Sequence, residues 1–319
     1  MDCLFQSSYN AKKYSIVTQC SARKRGAVDP HLIFFADGVS NSDGLNDWFT
    51  RLSKAGAKNS ASNVYIGNSI YLARMAASLL NQDYFIISAG LGLIESTTQI
   101  PNYEATVSGN SSITERLGCS PSEWWKLLQK NSKFTSNWPD HSQTLLIAAS
   151  EQYMQMIADD LMSTGRPNER VRIFTRTNLT KIPVSLRPSV MPYDARLDGE
   201  PIEVGTPNSF KGTLSDFASR ALFHFVKVVL PQSPDGQLID HQKFVTECMN
   251  KNRVIVRLNG VSRTDSEIMQ IILEHGASVG WKCGATLRLF RDHLNIACEQ
   301  KRFRNLFVKV LKQKSENKL

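Results

Sequence analysis

The chain has 319 residues, of which 41% are hydrophobic and 21% charged, which is typical of a globular protein with two or three domains. We expect neither a membrane protein nor a secreted one, because no apolar run nears the ~20 residues of a membrane span and the N-terminus is not signal-like. The formal net charge is +9, and residues 251–319 contribute +8, with 14 Lys and Arg against 6 Asp and Glu. This asymmetry predicts a basic nucleic-acid-binding module, with a solubilising tail as the alternative.

The residue types that bind metals are scattered along the chain. The six cysteines form no Cys-x-x-Cys pair, and the six histidines form no cluster with zinc spacing. We therefore expect reduced thiols, a cytoplasmic location, no metal and no cofactor.

Strands and helices alternate along the first part of the chain. Short apolar runs predict strands over residues 14–19, 84–87, 144–149 and 171–175. Amphipathic periodicity and capping signals predict helices over residues 65–80, from 120 onward, 151–161 and 213–230. This order predicts an α/β fold with a mostly parallel sheet and helices on both of its faces.

A segment rich in Pro, Gly, Ser and Asp at 231–239 predicts a domain boundary, with an α/β pocket domain over 1–230 and a basic helical domain over 231–319. Three short amphipathic helices in the second domain predict a helix-turn-helix-like arrangement that binds double-stranded DNA through phosphate contacts. The first of them is predicted to begin at the capping residue Thr264, with Glu267 three residues later. The cations predicted to make these contacts are Arg253, Arg257, Arg288, Arg291, Lys301, Arg302 and Arg304.

The predicted ends of the strands carry the candidate ligand-binding residues. The apolar run Tyr84–Ile87 breaks into Ser88, Gly90 and Gly92, which is typical of a buried strand that ends where another group approaches the backbone. Asn102 and Tyr103 follow in the same loop, so we expect the turn to place an amide and a phenol beside exposed backbone N–H groups, as a ligand site requires. A Gly-rich surface loop is the alternative.

The first predicted strand ends in a polar and basic segment. Gln19, Cys20, Ser21 and Lys24 are predicted to bind substrate there, with a solvated loop as the alternative to an anion cradle. Ser150 follows the third predicted strand and joins this set. Cys20 is a possible nucleophile, but no histidine is identified to activate it, so a buried thiol is the favoured interpretation.

Three blocks together resemble the peroxide-stress protein YaaA and its relatives. They are Cys20-Ser21-x-x-Lys24, then Ser88-x-x-x-Gly92-Leu93-Ile94 with Tyr103 further on, and Ala149-Ser150-Glu151-x-Tyr153. The resemblance covers residues 14–155 and implies an α/β domain with DNA-linked biology. Related domains resemble those found beside base-modification and phage-defence functions, which implies work on nucleobases.

The available side chains suit cleavage of an N-glycosidic bond, in which a carboxylate supports the sugar cation and amide and aromatic groups hold the flipped base. Asn102 and Tyr103 are the residues predicted to read and stack on that base, and packing within their own loop is the alternative. Asp194 is the first candidate, because Arg196 is placed to keep it ionised and Tyr193 to stack on a base; an Asx turn is the alternative. Glu95 is the second candidate. The sequence thus predicts a metal-independent DNA glycosylase, and the alternatives are a non-catalytic DNA-binding regulatory or stress protein and a base-exchanging transglycosylase.

Overall fold

The computed structural model describes residues 13–34, 44–108, 112–176, 178–203, 209–254 and 260–316. The chain forms two units, Met1–Ile255 and Val256–Leu319. The boundary therefore lies later in the chain than the predicted one at residue 230. The difference arises because the helix Leu238–Asn250 packs through Leu238, Val245 and Met249 into the core of the first unit.

The strands among the described residues are β1 (Tyr14–Gln19), β2 (Asn59–Ser60), β3 (Tyr84–Ser88), β4 (Gly92–Glu95), β5 (Gln99–Ile100), β6 (Thr144–Ala148), β7 (Val171–Phe174), β8 (Val261–Ser262) and β9 (Ile296–Ala297). The α-helices are α1 (Gly44–Lys54), α2 (Ala61–Val64), α3 (Asn68–Leu79), α4 (Ile113–Leu117), α5 (Pro121–Asn131), α6 (Glu151–Ser163), α7 (Phe217–His224), α8 (Leu238–Asn250), α9 (Asp265–His275), α10 (Cys283–Asp292) and α11 (Gln300–Glu316). None of the described helices is both long and apolar enough to cross a bilayer.

The central sheet has the strand order β4-β3-β1-β6-β7, and all of its pairings are parallel except that of β3 with β4. The middle strands are buried on both faces, which explains why β1 and β6 appear in the sequence as continuous apolar runs. In the register, Val17 lies beside Phe85 on one side and Ile147 on the other. The predicted α/β class and mostly parallel sheet are confirmed.

Helices cover both faces of this sheet. The connection from β1 to β3 moves across the sheet in one direction, whereas the connections to β6 and β7 move in the other. Because such crossovers are right-handed, α3 lies on one face, and α5 and α6 lie on the opposite face. The helix pairs agree with this rule, since α3 packs against α7 while α5 packs against α6.

The β3–β4 hairpin was not predicted, because the glycines after Ser88 favoured a loop. Gly92 has φ +89° and opens β4, in which Leu93 and Ile94 are fully buried. A left-handed residue at this point lets the chain reverse and pair with β3, and glycine adopts it without strain. The hairpin therefore adds an antiparallel edge strand to the parallel sheet.

The helix predicted over residues 213–230 is shorter and less regular than its periodicity indicates. Its regular part is α7, which continues as a π-helix over Phe225–Val229 and a short 3-10 turn over Leu230–Gln232. The segment before α7 is not helical because the Asp216 carboxylate accepts from the backbone N–H of Thr213. A side chain that bonds locally in this way competes with helix formation.

The second unit is built on α9, α10 and α11, with the short parallel pair β8 and β9. Its core contains Ile268, Ile272, Leu287, Phe290, Phe303, Leu306, Phe307 and Val310. The predicted start of α9 is present, because Thr264 and Glu267 form a reciprocal capping box. A small helical unit is thus present, and its helix-turn-helix character stays a prediction.

Candidate functional site

The carboxyl ends of three neighbouring strands carry polar residues at one edge of the sheet. β1 ends at Gln19, β3 ends at Ser88, and Ser150 follows β6. The chain leaves β1 for β3 on one side and later returns to β6 on the other side. In open α/β sheets, ligands bind at such a reversal of strand order, outside the carboxyl ends of the strands. The topology therefore predicts a ligand site between β1 and β6.

A cleft of about 400 Å³ lies at this reversal, and we call it the switch-point cleft. Its wall consists of Gln19, Ser150, Glu151, Gln152, Arg176, Leu214, Ser215, Phe217 and Ala218. The Gln19 Oε1 accepts a hydrogen bond of 2.6 Å from the backbone N–H of Ser150, so this amide joins the two strand ends. Two of the residues predicted to bind substrate, Gln19 and Ser150, thus lie together in the wall.

The switch-point cleft also carries charged groups. The guanidinium of Arg176 is exposed and makes no hydrogen bond or ion pair with any described residue. The Glu151 carboxylate lies 2.7 Å from Lys181 Nζ and keeps 29% of its side chain exposed. The Ser150 hydroxyl stands at the N-cap of α6 without forming a capping bond. Amide, hydroxyl, carboxylate and guanidinium groups therefore meet in one cleft, as recognition of a polar ligand requires.

On the other side of β1, the buried residues Tyr65, Ser88 and Tyr103 form a hydroxyl cluster. The Tyr103 hydroxyl lies 2.6 Å from both the Ser88 Oγ and the Tyr65 hydroxyl. Burial raises the pKa of Tyr65 and of Tyr103 well above the usual tyrosine value, so both phenols stay protonated. Tyr103, which was predicted to stack on a base, is instead fully buried and holds the end of β3.

The two glycines after β3 make room for protein side chains. A Cβ atom added to Gly90 would lie 2.7 Å from Cε2 of Tyr103, and one added to Gly92 would overlap Cγ2 of Thr135. The sequence predicts that some group approaches the backbone here. In the structure, these approaching groups are the ring of Tyr103 and the side chain of Thr135.

Cys20 and Tyr153 form a further buried contact, with the Cys20 Sγ 3.2 Å from the Tyr153 hydroxyl. The backbone N–H of Ala89 also donates to this sulfur at 3.5 Å. Burial raises the pKa of Tyr153, and the nearby thiol of Cys20 raises it further. Cys20 is 7% exposed, which agrees with the interpretation as a buried thiol.

Ser21 and Lys24, predicted to cradle an anion, lie in the loop after β1 and outside the cleft wall. The Ser21 hydroxyl donates to the backbone oxygen of Arg23 at 2.7 Å, so its proton is used within the loop. Lys24 Nζ lies 4.4 Å from the centre of the Tyr103 ring and covers the hydroxyl cluster. Burial lowers the pKa of Lys24, while the nearby groups of Cys20 and Glu104 oppose this shift.

Asn102, the second predicted base-reading residue, supports the same loop. Its Nδ2 donates to the backbone oxygen of Arg25 at 2.7 Å, and its backbone oxygen accepts from the N–H of Asp29. Its buried Oδ1 has no hydrogen-bond partner among the described residues. Asn102 therefore joins two segments of the protein and does not contribute to the switch-point cleft.

Glu95, the second candidate carboxylate, lies at the opposite end of the sheet. In the β3–β4 hairpin, Gly92 pairs with Ser88 whereas Glu95 pairs with Phe85. A separation of three residues along a strand corresponds to about 10 Å. Glu95 is exposed there and is not brought together with Tyr103 or the cleft. The hairpin, which the sequence did not predict, is the reason for this difference.

Asp194, the first candidate carboxylate, lies beyond β7 at the far side of the sheet. It caps a 3-10 turn over Ala195–Asp198, and both its oxygens bond to the guanidinium of Arg196. Bonding to Arg196 lowers the pKa of Asp194, although burial opposes the shift. Val190 bridges to Ile173 of β7, the edge strand three places from β3, so the chain approaches Asp194 along the far side of the sheet. The alternative interpretation, in which Asp194 forms an Asx turn, therefore describes its geometry.

Tyr193 and Arg196 are likewise engaged by the protein. Tyr193 is 7% exposed, and its hydroxyl lies 2.8 Å from Nδ1 of His224. Arg196 also bonds to the side chain of Asn250 in α8. The structure does not bring Tyr193, Asp194 or Arg196 into the switch-point cleft.

The cations predicted to bind nucleic acid differ in their surroundings. Arg253 is exposed but belongs to the first unit, and Arg257 lies outside the described residues. Arg302 is 2.6 Å from the Asp265 carboxylate, and Arg291 donates to the backbone oxygen of Cys298. Arg288 donates to the backbone oxygen of Gly284 at 3.4 Å, and the side chains of Lys301 and Arg304 are exposed without a partner among the described residues.

Sequence reasoning did not select Glu151 or Arg176 as site residues. Both follow a buried apolar strand closely, and a charged residue in that position is a usable signal for a site at the sheet edge. Sequence reasoning also missed Arg220, whose guanidinium lies 2.7 Å from the carboxylates of both Asp198 and Asp216 inside the first unit. Asp216 lies four residues before Arg220, but Asp198 lies 22 residues away, so no local motif indicates the whole cluster.

Comparison with models of known protein families, with curated proteins and with solved structures finds no match to this chain. The resemblance to YaaA therefore stays a prediction. Among the described residues, no three His, Cys, Asp or Glu side chains gather as a metal site would require.

Proposed function

We propose that this protein hydrolyses the N-glycosidic bond of a nucleobase in DNA, with the flipped nucleotide bound in the switch-point cleft. The observation that supports this most is the meeting of Gln19, Glu151 and Arg176 at the reversal of strand order. This arrangement supplies an amide, a carboxylate and a cation in a cleft where α/β proteins bind nucleotides.

Each of these groups has a role in the proposed reaction. The Glu151 carboxylate, which pairs with Lys181, stabilises the positive charge that develops on the sugar as the bond to the base breaks. Water then adds to the sugar carbon, and its proton passes to the released base. Gln19 hydrogen-bonds the edge of the flipped base, and Arg176 binds a phosphate of the same nucleotide. The carboxylate role therefore passes from Asp194 and Glu95 to Glu151.

The proposed polymer is duplex DNA, bound by the basic second unit. Helix α11 alone carries six Lys and Arg against one Glu, so positive charge is concentrated on one helix of that unit. Phosphate contacts by such cations provide binding that does not depend on base sequence. The proposed target is a modified base, such as those in phage DNA, in accordance with the resemblance.

The test measures abasic sites in DNA. Purified protein is incubated with unmodified duplex and with modified phage DNA, and alkali then converts abasic sites into strand breaks. We expect strand breaks in modified DNA, and a loss of roughly 100-fold or more in their rate of formation with Glu151→Gln.

Asp194→Asn is the matched control, because it neutralises a carboxylate outside the cleft that also bonds to a cation. It should retain the wild-type rate. Absence of strand breaks in both DNA samples, or equal rates for Glu151→Gln and wild type, would overturn the proposed activity.

A second candidate is a non-catalytic DNA-binding protein in which the cleft senses a small ligand. The ion pair of Glu151 with Lys181 favours this candidate, because a carboxylate held by a lysine also serves as a fixed acceptor in a binding site. It predicts that nucleosides raise the melting temperature of the protein while no strand breaks form in either DNA.

A further inference from the structure

Helix α11 is oriented in the second unit by a buried apolar stripe. Phe303, Leu306, Phe307 and Val310 are each at most 3% exposed and pack into the core of that unit. Because residues three and four apart share one side of a helix, the opposite side of α11 must face solvent.

The solvent side of α11 carries Lys301, Arg304, Asn305, Val308, Lys309 and Lys312, all of them exposed, and we call it the outer face of α11. The side chains of its four cations make no hydrogen bond or ion pair with any described residue. They are therefore available to a partner.

Other cations of this unit are already engaged. Arg302 bonds to the carboxylate of Asp265 and to the backbone oxygen of Arg263. Lys314 Nζ lies 3.4 Å from the centre of the Trp281 ring. Two of the carboxylates nearby are engaged too, since Asp265 pairs with Arg302 and Glu299 accepts from the first N–H groups of α11. Hence the free positive charge of α11 is concentrated on its outer face.

The spacing of residues along the outer face of α11 matches the width of the major groove of DNA. Lys301 and Arg304 lie towards one end, Lys309 and Lys312 towards the other, and Asn305 and Val308 lie between them. At 1.5 Å per residue, Lys301 and Lys312 are about 16 Å apart along the helix, against about 12 Å for the width of the major groove. Cations at both ends can thus reach phosphates on both walls while the central side chains face the floor.

We propose that α11 enters the major groove of duplex DNA, with its four outer cations on the phosphates and Asn305 and Val308 against the base edges. This deepens the proposed function and rests on its choice of DNA as the polymer. Asparagine pairs well with adenine and an apolar side chain with the methyl group of thymine, so the contacted step is expected to be rich in A·T pairs.

A lipid surface fits the outer face less well. Membrane-surface helices insert a broad apolar face into the bilayer, opposite their cations. On α11, that apolar face is already used in the core of the unit, and the large apolar side chains left exposed are Val308 and Leu311. A nucleic acid, which needs cations with few apolar contacts, is the better partner.

The first experiment measures the affinity of the full chain for a fluorescent duplex at several salt concentrations. Lys301→Gln combined with Lys309→Gln should weaken binding to all sequences. It should also reduce the slope of the logarithm of the association constant against the logarithm of the salt concentration by about 2, or about 1 per lost phosphate contact. Lys130→Gln removes an exposed lysine of α5 that pairs with no residue in the described part of the chain, and it should change neither quantity.

The second experiment selects bound duplexes from a random pool. Wild type should enrich an A·T-containing step, whereas Asn305→Ala with Val308→Ala should lose roughly 10-fold or more in preference for that step and keep its salt slope. Circular dichroism shows whether each variant remains helical.

The proposal fails if the double lysine variant binds duplex as wild type does, if selection by wild type enriches no step, or if the chain binds anionic lipid vesicles or single-stranded RNA more tightly than duplex. Binding is measured without any cleavage step. A failure of groove binding is therefore distinguishable from a failure of the proposed glycosidic cleavage.

Discussion

Arg220 is a buried cation that holds two carboxylates of the first unit. It is 3% exposed, and its guanidinium bonds to Asp198 and Asp216 as well as to the backbone oxygens of Phe210 and Thr213. Asn68 in α3 donates to the second oxygen of Asp216 at 2.6 Å. The cluster thereby joins the segment before α7 to α3, beside the wall of the switch-point cleft.

We expect Arg220→Leu to lower the free energy of unfolding by about 3 to 5 kcal/mol, because two buried carboxylates lose their counter-charge. Urea unfolding monitored by circular dichroism measures this loss. Arg196→Leu breaks the more exposed Arg196–Asp194 pair and should cost about 1 kcal/mol or less. Similar losses in the two variants would contradict the structural role of the Arg220 cluster.

At the scale of single elements, the β3–β4 hairpin depends on two glycines with different surroundings. Gly90 admits the Tyr103 ring, and Gly92 combines φ +89° with close contact to Thr135 and Gln129. Gly118 at the end of α4 has φ +64° with no atom near its missing Cβ. Comparison of Gly92 with Gly118 therefore separates the cost of a left-handed backbone from the cost of a steric overlap.

We expect Gly118→Ala to destabilise the protein by about 1 kcal/mol, since only backbone strain opposes it. Gly92→Ala should cost at least about 2 kcal/mol, because the new methyl group must also displace Thr135 and Gln129. The midpoints of urea unfolding give both values. Equal losses would show that the hairpin tolerates the added atom.

At the scale of the whole molecule, two neutral histidines inside the first unit link its stability to pH. Burial lowers the pKa of His224 and of His241 from 6.5 to about 4 in each case. His241 accepts from Arg172 through Nδ1, so its Nε2 carries the proton and donates to the Ser233 oxygen. Protonation of His241 would place a second positive charge beside Arg172 in the core.

These depressed pKa values predict that the unfolded chain binds more protons than the folded one between pH 6.5 and 4. The stability due to the neutral histidines is fully present above pH 6.5 and is lost as pH falls towards 4. Each contributes at most about 3 kcal/mol to this dependence.

Melting temperatures measured across this pH range test the prediction. His241→Gln should flatten the decline, whereas His141→Gln, at an exposed position, should leave it unchanged. An identical decline in both variants would argue against a neutral buried His241.

Much of the α/β fold followed from the sequence because its signals are local. Apolar runs predicted β1, β3, β6 and β7 within one residue at either end, since buried parallel strands leave continuous hydrophobic segments. The capping residues Ser120 and Thr264 predicted the starts of α5 and α9 through hydrogen bonds between near neighbours.

The sequence by itself also determined that the strand ends carry polar residues and that positive charge gathers in the C-terminal part of the chain. Only the tertiary structure decided which of these residues share a site. Strand order brought Gln19 together with Glu151 and Arg176, separated them from Asp194 and Glu95, and buried Tyr103. The physical reason is that pairing between distant segments depends on packing across the whole sheet, which local sequence patterns do not record.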